Sequence, residues 1–148
     1  MSDILKVVAC CLVNAKGEIL LATRNDNVDF IDGISSDDSP VDSNDYTWEF
    51  PGGKVEPGES LKTALSREMR EELNINISNS CLSPLTFTSF KIDNSRSILL
   101  LLYVCRVWDG DIRPNLNQKL RWVNKIDLIK YRMPLANRDL VPFVRDNI

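Results

Sequence analysis

Histidine is absent from this chain. That removes Ser-His and Cys-His nucleophilic catalysis, and with it the commonest nitrogen ligand for metals. Cysteine occurs at positions 10, 11, 81 and 105 and never as a C-x-x-C pair. A structural zinc site therefore cannot be assembled at normal spacing. These cysteines read as reduced, small apolar side chains, three of them in strand-like runs. The apolar run from Val7 to Val13 has no basic lead and no small-residue cleavage pattern, and it is far too short to span a bilayer. The expectation is a soluble cytoplasmic protein with no membrane contact. Net charge is −3, so there is no basic field to hold a stable nucleic-acid partner. Acid–base chemistry is left to Asp, Glu, Lys, Tyr, Cys or a metal-bound water.

What is present suits one domain over residues 1–148, 43% hydrophobic and without repeats. Leu5 to Val13 reads as a buried strand, and Glu18 to Arg24 as its hairpin partner across the turn at Asn14 to Gly17. Residues 25–46 carry seven aspartates and no Lys or Arg. This composition predicts a long acidic loop, a solvated insertion or else a lid at the mouth of a site. Thr47 to Phe50 is a short strand ended by Pro51-Gly52-Gly53. A helix follows from about Ser60 to Leu73, with Leu61, Leu65, Met69 and Leu73 as its core stripe. Asn74 stands where a helix exits through a left-handed residue. Leu85 to Lys91, Ser97 to Trp108 and Lys119 to Val123 read as strands and Ile126 to Lys130 as a helical turn. Met133 to Asn137 reads as a loop, and Arg138 to Asn147 as a terminal helix.

The densest chemistry lies in Arg67-Glu68-Met69-Arg70-Glu71-Glu72. Helical spacing makes Glu68 a neighbour of both Glu71 and Glu72. Glu68 and Glu72 also border the apolar stripe, where repulsion and desolvation add. A solvated face is the ordinary reading of such a charge run. The Gly-Gly turn upstream and Glu59 at the helix start favour another. Arg67 and Arg70 offset part of the charge, and a divalent cation would offset more. Clustered hard oxygens suit Mg²⁺ or Mn²⁺ rather than Zn²⁺.

Gly53, Glu59 after five residues, and Arg67-Glu68-Met69-Arg70-Glu71-Glu72-Leu73-Asn74-Ile75 after seven more resemble the Nudix box, GX5EX7REUXEEXGU. Asn74 replaces the final glycine, and asparagine can fill the same left-handed exit. The resemblance implies an α+β fold, a Nudix-type α/β/α sandwich with a mixed, curved sheet between helices. It implies hydrolysis of a nucleoside diphosphate linked to another moiety, with Mg²⁺ as cofactor and Mn²⁺ as substitute. By position, Glu68, Glu71 and Glu72 would be metal ligands together with the Gly52 carbonyl. Arg67 would orient a glutamate, and Glu59 would hold the loop against the helix or assist contacts just outside the ligands.

Trp48 to Glu56, Val107 to Gly110, Trp122-Val123 and Met133 to Asn137 further resemble the mutator-type (MutT) 8-oxo-dGTP diphosphatases. That resemblance implies release of 8-oxo-dGMP and pyrophosphate, serving nucleotide-pool sanitation. Asn137 would read the purine edge, with capping of the terminal helix as the structural alternative. Arg96, Glu49 and Arg24 complete the substrate-binding set. One departure stands out: Leu116 occupies the position where the subfamily carries a glutamate before the last strand, so the general base is unassigned. The rival readings are a pyrophosphohydrolase for another nucleotide such as CTP or dCTP, and a catalytically weak nucleotide-binding module. The expected assembly is a monomer or weak homodimer.

Overall fold

Val8 to Leu12 offer no polar face to solvent, and in the computed structural model, which describes residues 3–24, 46–114 and 118–148, all five are buried. The acidic segment 25–46 thus lies outside the described residues except for Tyr46, and Leu116 lies outside them too.

A strand buried on both faces belongs inside a sheet. The first strand, β1 (Asp3–Leu12), is flanked on one side by β4 (Gly52–Lys54), antiparallel, and on the other by β6 (Arg96–Cys105), parallel. The outer strand β5 (Ser83–Lys91) pairs antiparallel with β6, giving the order β4-β1-β6-β5. A smaller sheet runs β3-β2-β7, from β2 (Ile19–Thr23), β3 (Trp48–Glu49) and β7 (Leu120–Val123).

The expected hairpin between β1 and β2 is corrected by this topology. The turn forms: Asn14 Oδ1 accepts from the Lys16 and Glu18 N–H groups, and Gly17 takes φ 79°. Pairing past the turn stops at the single bridge Val13–Ile19. The two strands then diverge into different sheets, because β1 gives both its edges to β4 and β6. β4 stands where the sequence predicts a turn. Its glycines give no strand signal, yet Gly52 and Gly53 lie opposite Ala9 and Val8.

One helix packs on each side of this framework. The box helix α1 (Leu61–Leu73) buries Ala64, Leu65, Met69 and Leu73 against Val8, Cys10, Leu12 and Leu20. Ser60 caps it by accepting from the Thr63 N–H at 3.2 Å. It ends at Asn74 in the left-handed region, φ 63° and ψ 30°, as the box departure requires. The terminal helix α2 (Leu135–Asn147) packs Leu140, Val141 and Val144 into a second cluster with Trp48, Phe50, Leu100 and Tyr131. It begins three residues before the expected Arg138, since Pro134 already accepts from the Arg138 N–H at 2.9 Å. Asn137 is therefore inside α2 and does not cap it. All four cysteines are free thiols. No described helix is long and apolar enough to cross a membrane.

Candidate functional site

Arg67 is the hub of the carboxylate cluster. Its Nε and Nη2 make a two-pronged contact with Glu59 at 2.7 and 2.9 Å. Nη1 donates to Glu68 at 3.0 Å and to Glu71 at 3.1 Å, and Nη2 also reaches the Lys54 carbonyl at 3.1 Å. A planar guanidinium can serve all of these at once; an ammonium cannot. The Arg67 bond, with a further one from the Glu56 N–H, holds the Glu59 carboxyl down at about 2. The loop before α1 is thereby tied to the helix, and Glu68 and Glu71 share one donor nitrogen.

Glu68 lies against the glycines of β4. A Cβ on Gly53 would overlap the Glu68 carboxyl group, whereas one on Gly52 would overlap the backbone of Val8 and Ala9. These two glycines thus serve different ends. Gly53→Ala is expected to push the Glu68 carboxylate aside with little change in melting temperature, since only the end of a flexible side chain must move. Gly52→Ala is expected to disrupt the β1–β4 pairing. Thermal melts and activity of both variants check this; equal loss of stability would remove the distinction.

Glu72 sits deeper. Burial pushes its carboxyl up to about 7, with Glu49 and Glu68 adding to the rise. Gln118 and the Gly52 N–H oppose it by donating hydrogen bonds, the first at 2.8 Å. Gln118 is a residue that sequence reasoning missed. A lone glutamine in a polar run has no periodic or motif signal, and only folding brings it to a partner 46 residues away in sequence.

The donor set fits a hard divalent cation in its chemistry. It consists of carboxylates, one of them held back from ionisation chiefly by burial and further by Glu49 and Glu68, beside two glycines with no side chain in the way. Among the described residues no three such groups already converge on one point. Glu68 and Glu71 are held by Arg67, and Glu72 is held by Gln118.

Next to this cluster opens a cleft of about 770 Å³, within the range of small-molecule sites. Arg24, Glu49, Lys54 and Asn137 line it with Gly52, Gly53 and an apolar wall that includes Phe90 and Ile98. Asn137 is 8% exposed, and its Oδ1 accepts from the Phe50 N–H at 3.0 Å. The structure thus brings Arg24, Glu49 and Asn137 to one cleft, with Glu68 and Glu72 against its lining glycines Gly53 and Gly52, and gathers Glu59, Glu68 and Glu71 around Arg67. Arg96 is not brought there. It opens β6 directly after the β5–β6 turn, exposed and paired with Asp93 at 2.9 Å, because Asp93 gathers that turn through the Ser95 and Arg96 N–H groups.

Comparison with known proteins places this geometry. The NUDIX domain model matches residues 4–144. The CTP pyrophosphohydrolase of Escherichia coli K12 is 32% identical over 138 residues, covering 90% of this chain and 84% of that protein. The 8-oxo-dGTP diphosphatase of Haemophilus influenzae is 30% identical over 139 residues, covering 93% and 89%. A solved MutT structure, from work on Aliivibrio salmonicida and Vibrio cholerae, superposes with a TM-score of 0.73 at 27% identity, covering 99% of this chain and all of that one.

Proposed function

We infer the substrate from one premise: this chain belongs to the NUDIX domain family and is a nucleotide pyrophosphohydrolase. The proposed reaction is hydrolysis of 8-oxo-dGTP to 8-oxo-dGMP and pyrophosphate. The observation that carries the base assignment is the bond from the Phe50 N–H to Asn137. An N–H can only donate, so the amide oxygen faces Phe50 and the NH₂ faces the cleft. Asn137 then offers donors to a base. The O6 of guanine and of its 8-oxo form accepts them; the exocyclic amino group that cytosine carries at C4 and adenine at C6 opposes them. Phe90 and Ile98 supply apolar area for the ring.

Glu68, Glu71 and Glu72, with the Gly52 carbonyl, would hold Mg²⁺ or Mn²⁺ beside the cleft. When bound, the cation neutralises the polyphosphate and polarises a phosphorus centre. Arg67 holds Glu68 and Glu71 together on one helix face, and Glu59 keeps Arg67 in place. Lys54 and Arg24 add positive charge to a cleft whose carboxylates alone would repel the substrate. The competing reading, a pyrophosphohydrolase for CTP or dCTP, has its support in the Escherichia coli relative.

Pyrophosphate release from 8-oxo-dGTP, dGTP and CTP, with Mg²⁺ and with chelator, separates these readings. The expected order places 8-oxo-dGTP first, with no turnover under chelation. A higher kcat/KM for CTP would overturn the base assignment and leave the family chemistry intact. Asn137→Leu is expected to lower kcat/KM for 8-oxo-dGTP by about 10-fold or more while CTP hydrolysis stays nearly level, because only the keto base loses a partner.

A further inference from the structure

We propose that Gln118 is a positioning residue for Glu72 and that its Oε1 supplies an uncharged acceptor at the cation site. This rests on the cation reading of the box glutamates. Gln118 is 8% exposed and directly precedes the segment leading into β7. Its Nε2 donates both to Glu72 Oε1 at 2.8 Å and to the Thr23 carbonyl at 3.1 Å. Both partners are acceptors, so the amide can face them only with its NH₂. The backbone around it is clamped. The Thr23 N–H donates to the Lys119 carbonyl at 3.0 Å, and the Lys119 N–H donates to Thr23 Oγ1 at 2.9 Å. Gln118 is therefore mounted on β2, and it transmits that fixed position to a glutamate on α1.

The orientation that satisfies Nε2 commits the other half of the amide. Gln118 Oε1 is buried and accepts from no donor among the described residues. A sealed carbonyl is costly to leave unpaired, and such orphans point to a bound partner. Here the neighbouring group is a glutamate assigned to a cation. A cation, or a water held by one, is the partner that suits a neutral oxygen beside a carboxylate. An amide in this position steadies Glu72 without adding a further negative charge to an already crowded cluster. A carboxylate in its place would lose both donor bonds and repel Glu72.

The test begins with calorimetric titration of Mn²⁺ into nucleotide-free protein, for the wild type and Gln118→Met. Methionine keeps the length and removes both polar functions. The expected result is Mn²⁺ affinity weakened about 10-fold or more, by the usual weight of partners that orient a ligand. A kcat drop of similar size is expected, with KM for the nucleotide nearly unchanged. Unaltered Mn²⁺ affinity and kcat, with only a lower melting temperature, would overturn the proposal and leave Gln118 a structural tie. The second variant is Gln118→Glu. If its side-chain oxygens meet the cation, saturating Mn²⁺ raises its melting temperature by more than it raises that of the wild type. An equal or smaller rise would also overturn the proposal. Should the wild type itself bind no Mn²⁺ and show no turnover, the cation reading of the box falls first.

Discussion

Glu72→Gln is expected to lower kcat for pyrophosphate release by about 10³-fold or more. Loss of one carboxylate removes several kcal/mol of cation-mediated charge stabilisation, and each 1.36 kcal/mol is tenfold in rate. The fold should survive. A glutamine side chain has the same shape, and its oxygen can still accept from Gln118. Without cation, Glu72 is buried near Glu49 and Glu68 and pushed up to about 7, so the protein without the carboxylate should melt no lower than the wild type. Steady-state kinetics with Mg²⁺ and a thermal melt without it check both halves. A variant keeping more than a tenth of wild-type kcat would remove Glu72 from the ligand set.

Arg67→Lys is the second large effect, with kcat expected to fall about 10- to 100-fold. The charge is conserved, but the fork is lost. Arg67 serves Glu59, Glu68, Glu71 and the Lys54 carbonyl in one plane, and an ammonium cannot satisfy that geometry. Glu68 and Glu71 would then lose their common reference point, and the loop at Glu59 its tie to α1. Melting temperature should fall as well. If it falls while kcat holds, Arg67 supports the fold only. The Glu59–Arg67 contact also predicts an acid dependence. Because Glu59 titrates lower in the folded protein, at about 2, its stabilisation is fully present above the ordinary carboxylate range. It is lost as pH falls through that range toward 2. In Arg67→Lys this part of the acid sensitivity should shrink, which urea denaturation at several pH values would show.

The carboxylate cluster was legible because helical spacing is local. Glu68 is a helical neighbour of Glu71 and Glu72, three and four residues on, and the apolar stripe sets which face they take, whatever the rest of the chain does. Asn74 likewise carries its left-handed exit in its own side-chain tolerance, and the structure places it at φ 63°. The burial of β1 and β6 followed from their uninterrupted apolar runs. Pairing did not follow, because strand partners are chosen by long-range competition rather than by neighbours in sequence. Proximity along the chain suggested a β1–β2 hairpin, yet β1 sits between β4 and β6.

The same limit separates the remaining site residues. Arg96 and Asn137 looked alike as polar residues near subfamily positions. Only the packed structure ties Arg96 to Asp93 in a turn and mounts Asn137 in α2 with its oxygen on the Phe50 N–H, across 87 residues. Gln118 carried no signal at all until Thr23 and Glu72 were brought to it from two other elements. By itself the sequence determined the helix, its cluster of carboxylates and the family. Tertiary structure decided which strands flank which, and which polar side chains hold, orient or leave the cleft, because those choices rest on contacts that no local pattern encodes.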